Sequence, residues 1–138
     1  MKCCAMLSMI FLSLLLAACE SPSPAPPAGM GDVYPAPLND PQISVLSPAL
    51  RDWLAFSPAV VIRQPGRPLH VQVPVRNLAQ RQYLIDYRFL FYDVNGTELE
   101  PTMGWTFAAL QPKQILRLKA KALDDRAETY RLEVKWAQ

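Results

Sequence analysis

His70 is the only histidine in a chain of 138 residues, and most of the catalytic chemistry open to the sequence would pass through it. A Ser-His-Asp relay needs a nucleophile within hydrogen-bond reach of that imidazole. The serines beyond residue 20 (Ser21, Ser23, Ser44, Ser47 and Ser57) all precede it, and none stands in the Gly-x-Ser-x-Gly sequence of a nucleophile elbow. A metal centre needs several nitrogen or sulfur ligands, whereas the three cysteines, Cys3, Cys4 and Cys19, all lie near the N-terminus. Two acidic pairs remain, Asp124-Asp125 and Glu98 with Glu100. A carboxyl group acting as an acid needs burial to raise its pKa. Asp124-Asp125 stands instead in the turn-forming sequence ALDDRAET, with Arg126 at hand to neutralise it. The five glycines are not spaced as a phosphate-binding loop. The expectation is no enzyme, no metal and no cofactor.

Cys19 offers a different chemistry. The stretch Leu16-Ala17-Ala18-Cys19 resembles the bacterial lipobox. A peptidase there must admit small side chains before the cut, the thiol accepts a diacylglycerol as a thioether, and the freed amine takes a further acyl chain. Upstream, Lys2 precedes an apolar run over residues 5–16, broken only by Ser8 and Ser13. A membrane-spanning helix takes about 20 apolar residues, so this run fits the core of a secretory signal peptide better. Residues 1–18 are therefore expected to be removed and Cys19 to carry a covalent lipid, several chains anchoring where one holds only marginally. Cys3 and Cys4 leave with the signal, so no thiol remains for a disulfide. Retention in the inner membrane is signalled in many such envelopes by Asp directly after the lipidated Cys. Glu20 has the same charge and one more methylene, which leads us to expect the outer membrane, facing the periplasm.

The remaining candidate chemistry is ionic. Arg117, Lys119 and Lys121 recur at every second position between Leu116, Leu118 and Ala120, so a strand would point all three cations one way. Such a row could meet lipid headgroups, cell-wall carboxylates or an acidic protein; it also fits a solvated face whose lysines protect a sheet edge. Pro74 interrupts another alternating segment and lacks a ladder donor, which predicts an edge strand or a bulge there. An edge can accept an incoming strand. Pro74, Arg117, Lys119 and Lys121 are thus the candidate partner-contact residues.

These residues need elements to hold them. Residues 20–41 contain seven prolines and little apolar surface, and read as a flexible tether after the lipidated Cys19. Residues 42–138 suffice for one domain with a single core. Thirteen Lys and Arg stand there against nine Asp and Glu, a net +4, too mild for a dedicated nucleic-acid binder. The prevailing period is two. It is clean over 69–77 and Thr129–Trp136, looser over 114–121, and strongest over 82–93, where Tyr83, Ile85, Tyr87, Phe89 and Phe91 share a face. Tyr87, Phe89 and Trp136 are expected to bury large aromatic areas. Asn95-Gly96 suits the positive φ of a tight hairpin turn. Shorter strands are expected over 42–46, 59–63 and 104–109, and one short helix over 48–56, with Ser47 as cap and Pro48 at its first position. About seven strands without alternating helices argue for an all-β antiparallel sandwich.

Asn77, then Tyr87-Arg88-Phe89 with Tyr92-Asp93 and Gly96, then Trp105, Pro112 and Arg131-Leu132 together resemble the DUF1425 family over residues 75–136. The sequence departs at Phe91, where the family more often has Trp. The resemblance implies an immunoglobulin-like sandwich in a bacterial envelope protein and brings no assigned activity with it. The function expected on these grounds is a membrane-anchored, non-enzymatic binding or accessory module for envelope proteins. The alternatives are a cell-wall enzyme or its activator, and a passive bridge between membrane and peptidoglycan.

Overall fold

Alternation decides which side chains form the core of the computed structural model, which describes residues 41–138. In β4 (His70–Asn77) Val71, Val73 and Val75 are fully buried, while His70, Gln72, Pro74 and Arg76 on the opposite face are half-buried. In β5 (Tyr83–Tyr92) Tyr83, Ile85, Phe89 and Phe91 are buried on one face. In β8 (Thr129–Trp136) Tyr130, Leu132 and Val134 are buried, and Arg131 and Glu133 point the other way. Strand periodicity thus becomes an apolar inner face and a polar outer face.

The shorter elements are β1 (Ile43–Val45), α1 (Pro48–Arg51), β2 (Leu54–Phe56), β3 (Val60–Ile62), β6 (Thr106–Leu110) and β7 (Ile115–Lys121). One sheet has the order β1-β8-β5-β6. In the other, β4 has β7 along one side and β2 and β3, one after the other, along the opposite side. Val71, Val73, Val75 and Leu118 from this second sheet share one hydrophobic cluster with Ile85, Phe89, Leu132 and Val134 from the first. The expected all-β sandwich is present. Asn77, buried among these apolar groups, helps to join its sheets: Nδ2 donates to Leu110 O at 2.9 Å and to Arg81 O at 2.8 Å. Its Oδ1 accepts from Ala79 N at 2.8 Å, so the amide has no orphaned polar atom.

Several expectations need correction. The helix stops at Arg51, and Leu54–Phe56 is a strand whose three residues are all buried; with no polar member it shows no alternation. Pro48 opens the helix as expected, but Ser47 makes no side-chain cap and its hydroxyl accepts from Trp136 N at 3.2 Å. The turn after β5 forms, yet only Gly96 takes positive φ (78°), and Gly96 N donates to Asp93 O at 3.0 Å. It is therefore a turn closed on Asp93, with Gly in the left-handed position, rather than the two-residue turn that also demands positive φ at Asn95. β1 runs parallel to β8, the one parallel ladder among the described residues. Phe89 is buried as expected, while Tyr87 and Trp136 sit half-buried on the core's rim.

Candidate functional site: the cationic face of β7

Pro74 does not mark an edge. β4 is the central strand of its sheet, and Pro74 stands opposite Arg117 on β7. On its other side β2 pairs with residues 75–77 and β3 with 70–72, leaving Pro74 at the break between them. Pro74 O accepts from Ser57 N at 3.0 Å across that break. In a strand the N and C=O of one residue point to the same side, so the missing N–H also faces the break, where no ladder needs it. A central strand tolerates this proline for that reason.

The same geometry fixes the phase of β7. Because Pro74 directs its polar groups away from β7, Pro74 and Arg117 form a non-hydrogen-bonded pair, and Arg117 turns its own N–H and C=O away from β4. Alternation extends this to Lys119 and Lys121. Ala122 N, in the opposite phase, donates to Leu69 O at 2.8 Å. Among the described residues β7 pairs with β4 alone, so its far side is an open edge of seven residues. That is longer than the edge strands β1, β3 and β6, with three, three and five.

Arg117, Lys119 and Lys121 are all exposed, on the outer face that they share with Pro74, Gln72 and His70. Within the described residues none of the three forms an ion pair. The structure therefore brings the four candidate residues together, with the pairing edge on β7 instead of at Pro74. Sequence reasoning missed that edge because the order of strands is not written in any one strand's pattern.

It also missed the opposite outer face, on the first sheet. There Arg88 Nε donates to Glu133 Oε2 at 2.7 Å, and the guanidinium lies 4.6 Å from the Trp105 ring centroid. Lys135 Nζ lies 4.6 Å from the same centroid, and Arg131 sits over Tyr92 at 5.9 Å. Burial first of all raises the Tyr92 pKa, and it alone raises that of Tyr87. Phe107, beside this cluster, is 59 % exposed.

The candidate catalytic groups do not converge. His70 pairs across the sheet with Ile62 and Lys121, not with a carboxylate. Arg126 Nε donates to Asp124 Oδ2 at 2.9 Å and its backbone N to Oδ1 at 2.8 Å. These bonds, the side-chain one foremost, hold the Asp124 pKa down at about 2, opposite to what an acid catalyst needs. Glu100 accepts from Thr102 N at 3.1 Å within its own loop. A surface concavity of about 290 Å3 is lined by Arg63, Arg67, Leu69, Asp125 and Glu128 among others, with Arg63 closed on Glu128 at 2.5 Å. Among the described residues no group of three or more His, Cys, Asp or Glu could hold a metal ion. Cys19, the expected signal peptide over residues 1–18 and all of the expected tether but Pro41 lie outside the described residues.

The model of a protein family of unknown function, DUF1425, matches residues 42–136. The chain belongs to that family. A crystal structure of another DUF1425 member, from Shewanella sp. PV-4, is similar with a TM-score of 0.54 at 22 % identity, over 62 % of this chain and 79 % of that one. A crystal structure from Campylobacter jejuni is similar with a TM-score of 0.59 at 18 % identity, over 70 % of this chain and 98 % of the other. At these identities the likeness concerns the fold alone. No curated protein matches. Three of the residues that carry the DUF1425 resemblance stand in structural positions. Asn77 is the buried tie described above, and Asp93 Oδ1 accepts from Asn95 N at 2.8 Å and Thr97 N at 2.9 Å to close the turn. Pro112 precedes Lys113, which holds φ 62° in a turn closed by Gln114 N donating to Gln111 O at 3.2 Å. Asn77, Asp93 and Pro112 all lie outside β7.

Proposed function

We propose that this DUF1425 protein is a lipid-anchored envelope protein whose sandwich is a non-enzymatic binding module. It would serve as an accessory subunit of an envelope assembly, held by Cys19 at the outer membrane and facing the periplasm. The observation that carries the reading is the row Arg117, Lys119 and Lys121: three exposed cations without an ion-pair partner among the described residues, on the longest open edge. Cations left unpartnered on one face create a field that attracts an anionic partner. The anchor rests on the lipobox-like sequence around Cys19.

The test uses the full chain in its native cells, with a photoreactive residue at position 119 or, as a control, at 107. Discrete protein adducts from 119 that Cys19→Ala abolishes would support the reading. No adducts from 119, or the same adducts from both positions, would overturn it. So would peptidoglycan hydrolysis by the purified chain that His70→Ala or Asp124→Ala removes.

A further inference from the structure

We infer that the partner of this face is a protein segment in extended conformation, with acidic residues at alternate positions, that adds to the sheet along β7. This deepens the binding-module reading and rests on it. The decisive feature is a coincidence of phase. Arg117, Lys119 and Lys121, which carry the cations, are also the residues whose backbone N–H and C=O point to the open edge. An incoming antiparallel strand would exchange hydrogen bonds with these three residues, and the side chains directly opposite them would fall on the same outer face. Alternate side chains on a strand lie roughly 6.7 Å apart. A carboxylate at every second position of the incoming strand therefore meets one cation each. Backbone pairing supplies affinity, and the charge pattern selects the sequence.

Charge complementarity excludes the simplest rival. A second copy of β7 laid along this edge would set cations against cations, which is destabilising. The same row that keeps identical copies apart thus admits an acidic strand. A lipid surface is less well matched. It can neutralise the cations but leaves the edge N–H and C=O groups with nothing to pair in register.

The test uses the full chain in nonionic detergent and a fluorescent seven-residue peptide, Glu-Thr-Glu-Val-Glu-Thr-Glu. Comparisons are a peptide of the same composition with its glutamates contiguous, and the alternating peptide N-methylated on the residues that face β7. Mixed micelles of the same detergent with phosphatidylglycerol are the third. The alternating peptide should bind about tenfold more tightly than the contiguous one. Lys119→Glu should weaken it by about tenfold or more, and N-methylation should abolish binding. Amide exchange at Arg117, Lys119 and Lys121 should slow, with Leu118 and Ala120 unchanged. Equal binding of both acidic peptides, or binding without amide protection, would reduce the face to a counter-ion surface and overturn the inference. Salt-sensitive amide shifts at Arg117, Lys119 and Lys121 on adding phosphatidylglycerol, without peptide binding, would replace the strand with a membrane. If the peptide fails while adducts from position 119 persist in cells, strand addition falls and the binding-module reading stands. If those adducts are absent too, both fall.

Discussion

The two outer faces of the sandwich carry the same kinds of cation in different company. On the first sheet Arg88 is held between Glu133 and Trp105, Lys135 lies over the same indole, and Arg131 covers Tyr92. On the second sheet Arg117, Lys119 and Lys121 extend from a strand whose far side is open, with no carboxylate opposite them on β4. The first arrangement is complete within the chain, its charges offset by a carboxylate and by aromatic quadrupoles. The second leaves both charges and backbone groups unmet. Each of these two groups holds three cations. Only their surroundings separate a structural cluster from a surface able to take a partner.

The core that both faces share sets the largest expected effect. Phe89 is 1 % exposed and lies among Tyr87, Phe91 and Tyr130, with ring centroids 6.0–6.4 Å away. Phe89→Ala should cost about 3–5 kcal/mol in urea unfolding, a large share of a small domain's stability. Both faces should then be lost in a single transition, and a loss under about 1 kcal/mol would contradict the inward placement of that side of β5. Asn77→Ala comes next, at about 2 kcal/mol, because it strands Arg81 O, Leu110 O and Ala79 N in or near the core. A second transition appearing in that variant would show that the amide couples the sheets, and not just the loop beside it.

Period two was enough to place β4, β5 and β8 and to orient Phe89 and Arg88, because in each of these strands one face lies in the core and the other is mostly polar. β2 was hidden for the opposite reason: Leu54, Ala55 and Phe56 are buried on both sides, and three apolar residues after a helical turn have no period. The turn at Lys113 was hidden because positive φ is normally announced by Gly or Asn. Here Lys113 N donates to Asn77 O at 3.0 Å and its ammonium to Leu78 O, so tertiary contacts hold a conformation that its own type disfavours. Pro74 suggests an edge or a bulge because a sequence shows a missing donor without showing which way it would have pointed. The cationic row was legible as a row, and its partnerless state was not.

The contrast between the faces can be sharpened by neutralising one charge on each. The Glu133 side chain is 13 % exposed and joined to Arg88, so Glu133→Gln should destabilise the fold by about 1 kcal/mol. Lys119→Gln breaks no contact of this kind and should stay within about 0.5 kcal/mol of wild type. Paired urea curves decide it. Equal losses would mean that the β7 cations are as structural as those on the other face, and the contrast would dissolve.

The smallest effect concerns a charge of a third kind, satisfied by its own turn. Asp124 binds Arg126 two residues on, through the side chain and the backbone N–H, and its pKa is lowered to about 2. An ordinary Asp titrates at about 3.9. Since the folded value lies below the unfolded one, whatever this turn contributes is fully present above about pH 4 and is lost as pH falls towards 2. Arg126 is exposed and the pair lies within one surface turn, so the contribution to overall stability is small. The visible consequence is the titration itself. The Asp124 carboxyl carbon, followed by NMR, should keep its ionised shift down to about pH 3, and Arg126→Ala should move the midpoint back up towards 3.9. The β7 face supplies the comparison, because nothing there depends on a carboxylate of this chain. Binding of the alternating acidic peptide should therefore weaken as pH falls through about 4, where the peptide's glutamates take up protons, with Asp124 still ionised. A binding curve that instead followed the Asp124 midpoint, and shifted with Arg126→Ala, would move the docking surface from β7 to the turn before β8.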